Sequence, residues 1–304
     1  MSGWIPTARG AVNAWECDHM GHMNVQFYVG RIADGASHLR AALGMPPSVV
    51  GDTGRAFVVL EHCIEYRREL RAGAVVWVES GVLELAEKTA TVCYRLWNAE
   101  TAELAAISRS VIVSVDLKAR RSAPWTEATR TRAEALRVTV DAAELPRYTP
   151  PEDVERLDRA DMARDLAEGW LETHRGAANA WECDHLGHWN ARFYVDRFAQ
   201  GAFHLHSALG MPPDWMRRSR RGTAALMQHI RYRRELMAGD TMVLLSKPIA
   251  VTEKTVRYYN KLYNAATGAL SATMDVLDVG LDRTARRSAA LPPEVRAKAE
   301  AMLA

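Results

Sequence analysis

The chain predicts an α+β protein made of two copies of one domain, each a curled antiparallel sheet wrapped around a long helix. Three observations carry this. The phrase WECDHMGHMN at Trp15–Asn24 returns as WECDHLGHWN at Trp181–Asn190, 166 positions later. Around it, Arg9–Pro47 and Arg175–Pro213 agree at 28 of 39 positions without an insertion, which marks a duplicated domain, since solenoid repeats are much shorter. Finally, each copy orders its elements as a strand, a helix and then a run of strands. Strands and helices that do not alternate exclude a doubly wound parallel sheet, and a long apolar helix beside antiparallel strands is buried only if the sheet curls around it.

The elements follow in order. Gly10–Glu16 alternates loosely and predicts a first strand. Tyr28, Ile32, Ala36, Leu39 and Leu43 recur at helical spacing, and Gly44 with Pro46-Pro47 stops that helix. The second copy gives Tyr194, Phe198, Ala202, Leu205 and Leu209, then Gly210 and Pro212-Pro213. Four β-rich runs follow near residues 56–70, 74–86, 88–98 and 103–116, separated by turn-forming stretches, and a helix closes the unit. Further identities (Tyr66–Leu70 with Tyr232–Leu236, Ala119–Ala123 with Ala285–Ala289) carry the repeat to the ends of both copies. The expected domains are therefore residues 1–138 and 171–304, joined by a linker at 139–170. Pro146, Pro150 and Pro151 predict an extended crossing there, and the charged, Leu-containing stretch after them a short helix.

Composition narrows the function classes. With 304 residues, 48% hydrophobic and 25% charged, the chain has room for two ordinary cores. A net charge of +2 gives no case for nucleic acid or an anionic membrane as partner. Four cysteines do not make a disulfide framework, and only Cys17 and Cys183 are repeat-equivalent. No apolar run approaches the length of a membrane span and no signal-peptide core opens the chain, so the expected setting is cytoplasmic. A homo-oligomer of the two-unit chain is compatible with all of this.

Cys17, Asp18, His19 and His22 offer zinc-type ligands, but structural zinc sites draw on two separated pairs and no second pair recurs, so no metal is expected. No Gly-x-Ser-x-Gly elbow, P-loop or Gly-x-Gly-x-x-Gly is present, which disfavours serine hydrolases, nucleotide triphosphatases and dinucleotide-binding dehydrogenases.

Asp18-x-x-Gly21-His22-x-Asn24-x-x-x-Tyr28 ahead of a long helix resembles the hotdog-fold acyl-CoA thioesterases, nearest to the 4-hydroxybenzoyl-CoA thioesterase-like branch. Tyr66-Arg-Arg-Glu-Leu-x-x-Gly73 is similar to a strand of the same branch. The likeness covers residues 9–123 and 175–289 and leaves the linker unexplained. Plant acyl-ACP thioesterases are also tandem hotdogs, but Met20 and Leu186 stand where their motif has Asn, a departure that weakens that reading. The resemblance implies a built-in pseudo-dimer and hydrolysis of an acyl-CoA. It brings in coenzyme A as part of the substrate and no separate cofactor. A hotdog hydratase or dehydratase and a non-catalytic acyl-CoA-binding regulator are the rivals. Neither copy has lost its Asp, as a regulator could tolerate.

Thioester hydrolysis needs a base or nucleophile at the carbonyl carbon and donors for the oxygen that becomes negative. Asp18 and Asp184 are the candidates for base or nucleophile, set beside the first-turn N–H groups of the helix. Asn24 and Asn190 would place the water or carbonyl, and Gly21 and Gly187 would let backbone approach the thioester. Each also has a plainer reading. Asp18 or Asn24 could simply cap the helix, and His22 and His188 could be oriented structural histidines rather than catalytic ones. His19 and His185 are expected to face solvent. Tyr28 and Tyr194 are candidates to touch substrate, or to pack with a hydroxyl partner. On the following strand, alternation puts Leu60, His62, Ile64 and Tyr66 on one face, matched by Leu226, Gln228, Ile230 and Tyr232. His62 and Gln228 are polar among apolar neighbours, hence candidate substrate contacts or packing differences. On the first reading, the His62 side would change charge near neutral pH and the Gln228 side would not.

Overall fold

The structure is a computed structural model that describes residues 3–184 and 186–303, and the chain divides into two compact units with the boundary between Arg147 and Tyr148. The first unit runs β1 (Ile5–Ala11), α1 (Val25–Ala42), α2 (Pro47–Thr53), β2 (Arg55–Tyr66), β3 (Val75–Leu85), β4 (Thr89–Asn98), β5 (Leu104–Asp116), β6 (Arg121–Ser122) and α3 (Glu127–Ala135). The second runs α4 (Val154–Leu157), α5 (Met162–Ala167), β7 (Leu171–Ala177), α6 (Ala191–Ala208), α7 (Pro213–Ser219), β8 (Arg221–Tyr232), β9 (Thr241–Val251), β10 (Thr255–Asn264), β11 (Leu270–Asp282), β12 (Arg287–Ser288) and α8 (Pro293–Ala301).

Within the first unit the strands lie in the order β1-β3-β4-β5-β2, all antiparallel, with β6 beside β5. Within the second the order is β7-β9-β10-β11-β8, with β12 beside β11. The four β-rich runs therefore fall where the sequence put them. Helix α1 packs on β1, β3 and β4, burying Phe27, Tyr28, Val29, Ile32 and Leu39. Its closest approach is at Gly35, where a Cβ would come within 3.0 Å of Thr7 Oγ1 and 3.3 Å of Val78 Cγ1. Gly201 plays the same part in α6, where a Cβ would meet Leu244 Cδ2 at 2.5 Å. The helix ends as expected, with Gly44 in the left-handed region at φ +80°.

Three expectations need correction. The first strand lies earlier, at Ile5–Ala11, and Ala14–Glu16 is a tight 3₁₀ turn. The turn is set by a reciprocal cap between Asn13 and Glu16, an Asn-x-x-Glu signal that overrides the loose alternation after Gly10. Leu60 does not share the buried face of β2. A bulge falls between Val59 and Glu61, and Leu60 is 39% exposed, as its counterpart Leu226 is 37% exposed.

The linker is the third. Residues 148–170 belong to the second unit, because α4 and α5 carry part of its core. Leu157 and Trp170 pack with Val243, Leu245, Tyr259, Tyr263 and Leu270 on the sheet face away from α6. Polar bonds fasten the same strap. Asp158 accepts from Tyr259 Oη at 2.6 Å and Arg233 at 2.6 Å, and pairs with Arg231. Asp165 is buried against Lys261 and Tyr263. The first unit fastens residues 139–147 to its own outer face more lightly, with Glu144 taking Arg95 Nη2 at 2.9 Å and, through its carbonyl, Arg67 Nη2 at 2.6 Å.

Candidate active site

The repeated phrase folds into a closed hairpin between the 3₁₀ turn and the helix start, and does so in both units. Cys17 bridges Met23, the Asp18 N–H donates to the His22 carbonyl at 2.8 Å, and Gly21 N–H to the Asp18 carbonyl at 3.0 Å. Gly21 makes the turn with φ +82° and Gly187 with φ +81°, a region L side chains avoid. The stem is anchored on both sides. Met23 N–H reaches the Leu70 carbonyl at 2.8 Å and Asn24 N–H the Glu16 carbonyl at 2.9 Å. Beneath lies the buried Glu16 carboxylate, holding Arg31 Nη2 at 2.9 Å; Glu182 and Arg197 repeat the pair at 2.5 Å.

Asp18 stands at the stem of this hairpin, half-buried. Its Oδ1 accepts the backbone N–H of Met20 at 2.8 Å and of His22 at 3.3 Å. Asp184 repeats the geometry with Leu186 at 2.8 Å and His188 at 3.2 Å. In each unit both donors reach the same oxygen. The donors are thus in the acid's own turn and not, as the sequence suggested, in the first turn of the helix. Those first-turn N–H groups are taken by Asn24, whose Oδ1 accepts Gln26 N–H at 3.0 Å and whose carbonyl accepts Phe27 N–H at 2.9 Å. Asn24 and Asn190 are the N-caps; Asp18 and Asp184 are not.

The other candidates divide. His22 points its ring to the β2–β3 connection, with Nε2 3.1 Å from Glu69 Oε2 and 3.5 Å from Arg71 Nη2, and His188 lies 3.5 Å from Glu235. His19 is exposed, and His185 lies outside the described residues. Tyr28 is buried on the helix and its hydroxyl bridges two backbone groups, donating to the Arg68 carbonyl at 3.3 Å and accepting Leu70 N–H at 3.2 Å. Burial pushes its hydroxyl pKa up. Tyr194 is buried likewise and bonds the Leu236 backbone. These tyrosines lock the helix to the β2–β3 and β8–β9 connections, which also anchor the hairpin stems.

His62 lies on the helix-facing side of β2, four residues from Tyr66, whose ring meets Tyr28 at 5.2 Å. Strand rise puts the two about 13 Å apart, and the His62 ring bonds Ser110 Oγ at 2.7 Å. Burial lowers its pKa to about 4, so it stays neutral near neutral pH, against the sequence expectation. Gln228 occupies the same register position in β8, equally buried. Among the described residues no three His, Cys, Asp or Glu side chains are grouped to hold a metal, and no helix is long and apolar enough to cross a membrane.

Sequence reading passed over the Asn13–Glu16 cap and the exposed Trp15 beside the hairpin. Both recur in the second copy, as Asn179, Glu182 and Trp181, so the repeat itself held the signal.

Residues 12–133 and 178–299 match the family model of the thioesterase-like superfamily, so the chain belongs to that family. The fold is the hotdog fold, twice, and the activity class is thioester hydrolysis. A betainyl-CoA thioesterase of Pseudomonas aeruginosa is 28% identical over 141 residues, 46% of this chain and 85% of the relative. A putative oleoyl thioesterase from Lactobacillus plantarum has a TM-score of 0.69 at 14% identity, covering 91% of this chain and 96% of its own. The 12:0-ACP thioesterase of Umbellularia californica gives 0.64 at 13% identity, over 91% and 94%. At such identities the likeness is one of fold.

Proposed function

We propose that the protein hydrolyses acyl-CoA thioesters to free acid and coenzyme A, with Asp18 and Asp184 as the base or nucleophile of the two units. The observation that carries this is the one-sided grip on each carboxylate: two backbone N–H groups hold Oδ1. That grip fixes the carboxylate plane and directs Oδ2 to the incoming water or carbonyl carbon. Charge-assisted bonds of this kind hold geometry without consuming the second oxygen's lone pairs. The reaction adds a hydroxyl to the carbonyl carbon, breaks the C–S bond and returns the proton to the leaving thiolate.

Asn24 and Asn190 supply the remaining polar group. With Oδ1 capping the helix, Nδ2 is the donor for the water or the thioester oxygen. Gly21 keeps side-chain bulk off the hairpin tip; an added Cβ there would meet nothing within 4 Å, so its requirement is the left-handed φ and open access. Coenzyme A as carrier is supported by the Pseudomonas relative, which is named for a CoA thioester. Hydrolysis by a carboxylate and water calls for no cofactor beyond the coenzyme A that the substrate carries.

The test is thiol release across a panel of acyl-CoAs, with wild type and the Asp18→Asn/Asp184→Asn double variant. Loss of the base should lower kcat on the order of 10²–10⁴-fold, and further if the carboxylate attacks directly. A double variant with near-normal kcat would remove both residues from the chemistry. Enoyl- or hydroxyacyl-CoA products without free thiol would replace hydrolysis by hydration chemistry.

A further inference from the structure

We propose that the arginine-rich end of the second unit, where α7 meets β8 and the β11–β12 turn, docks on an anionic lipid surface. This end lies about 36 Å along β8 from the Tyr232 end, which packs beside that unit's hairpin. The inference therefore stands apart from the hydrolase reading.

Two segments build the patch, and the sheet brings them together. Arg217, Arg218, Arg220 and Arg221 run from the end of α7 into β8, and Arg283, Arg286 and Arg287 lie on the turn from β11 into β12. Asp282 pairs in register with both Arg221 and Arg287, and Arg283 N–H donates to the Arg220 carbonyl at 2.9 Å. Arg283 is half-buried and the other six are exposed. Two carboxylates lie among them. Asp214 pairs with Arg217 at 3.0 Å and also with Arg218. Asp282 is taken up by its own turn, with Oδ1 accepting Thr284 and Ala285 N–H at 2.9 Å each. Glu253 and Lys254 on the adjoining β9–β10 turn offset each other. The chain's net charge of +2 averages this end with the rest, and an expectation drawn from that average does not describe a local surface.

The first unit has the same turns without the patch. Gly51, Asp52, Gly54 and Leu117 stand where the second unit has Arg217, Arg218, Arg220 and Arg283, so four of the seven arginines are peculiar to it. Arg220 is the most telling. It closes α7 in the left-handed region at φ +57°, where Gly54 closes α2 at φ +68°. That conformation costs an L side chain energy that glycine avoids. Arg220 is exposed, so core packing supplies no reason for the exchange, and the guanidinium gains only from what it meets outside.

Guanidinium groups fixed on neighbouring turns fit an extended anionic plane, and each one near such a surface strengthens partition about fivefold. The apolar neighbours suit the same partner. Trp215 is half-buried on α7, Pro212 and Pro213 are exposed just ahead of it, and Met216 turns into the core. Trp beside arginine is the composition of surfaces that rest at the headgroup level.

The test is sedimentation of the full chain with phosphatidylcholine vesicles, without and with about 30% phosphatidylglycerol. Binding to the anionic vesicles should be at least about 10²-fold stronger and should weaken steeply as salt rises toward about 0.5 M. Arg220→Gly, which restores the first unit's residue, should weaken it about fivefold, and Arg217→Gln/Arg218→Gln/Arg220→Gly on the order of 10²-fold. Asp214→Asn, which unpairs Arg217 and Arg218, should strengthen it, with unfolding curves showing that each variant is folded. Absence of binding, equal binding to both vesicles, or a triple variant that binds as wild type does would overturn the proposal. So would duplex DNA that displaces the chain from the anionic vesicles and is itself released by the triple variant, which would make the patch a nucleic-acid surface.

Discussion

Asp165 should be among the costliest surface-strap residues to remove, although it lies outside both repeats. Its carboxylate accepts Lys261 Nζ at 2.8 and 2.9 Å and Tyr263 Oη at 2.5 Å, with Lys261 only 1% exposed. Asp165→Ala leaves Lys261 with the Arg159 carbonyl at 3.0 Å and the Trp170 ring at 4.6 Å, and with Glu168 and Asp158 acting on it only through the field and not as direct ion-pair partners. Breaking one side of a buried pair costs about 3–5 kcal/mol. The loss has a ceiling, since the lysine can shed its proton instead: from about 10.4 down to pH 7, at about 1.4 kcal/mol per unit, that route costs roughly 4.6 kcal/mol. Both routes give a similar figure, a fall in Tm of roughly 6–20 °C for a unit of this size. Burial already pulls the Lys261 pKa below its ordinary value, and without Asp165 it falls further. A native pKa below the unfolded one means the unfolded chain binds more protons, so the variant's stability should rise between pH 7 and 10. Thermal and urea unfolding across that range check this, and Lys261→Met on top of Asp165→Ala should recover stability. An Asp165→Ala protein within about 1 kcal/mol of wild type would refute the strap as part of the second unit's core.

Two other substitutions separate geometry from chemistry. Asp18→Asn keeps an oxygen for the Met20 and His22 N–H groups, whereas Asp18→Ala strands both; the alanine variant should lose about 1–3 kcal/mol more by unfolding measurements. Equal stability of the two would detach the carboxylate from the hairpin. His62, lowered to about 4 by burial, takes its proton later than in the unfolded chain. Its contribution is therefore intact above about 6.5 and is lost as pH falls toward 4, by up to about 3 kcal/mol. His62→Gln, the second copy's own residue, should flatten that acid limb in Tm measured from pH 4 to 7, and an unchanged limb would mean that other groups carry it.

The duplication made most of the fold legible before any coordinates. An apolar stripe ending at Gly44-x-Pro46-Pro47 can only be a helix with a hard stop, and the four strands of each copy are bounded by turns that appear twice. What the pattern misplaced was decided by side-chain bonds that periodicity does not encode. The first strand differs because Asn13 and Glu16 cap each other, and the linker because Asp158 and Asp165 find partners 73 to 101 residues away on β8 and β10. The site divides the same way. Asp18, Gly21 and Asn24 fall together in one hairpin because their spacing is the hairpin itself, while which of Asp18 and Asn24 caps the helix depends on five intervening residues turning back on themselves. The expectation that His62 could change charge near neutral pH fails because strand alternation reveals that a residue faces inward but not how fully it is buried or that Ser110 awaits it. The differences between the copies are therefore the more informative guide to function. Where both copies agree, at the hairpin, its cap and its tyrosine anchor, the constraint is one of building the same carboxylate site twice. Where they diverge beside it, Arg192 in place of Gln26 sets a guanidinium 4.6 Å over Phe193 next to otherwise equivalent aromatic pairs.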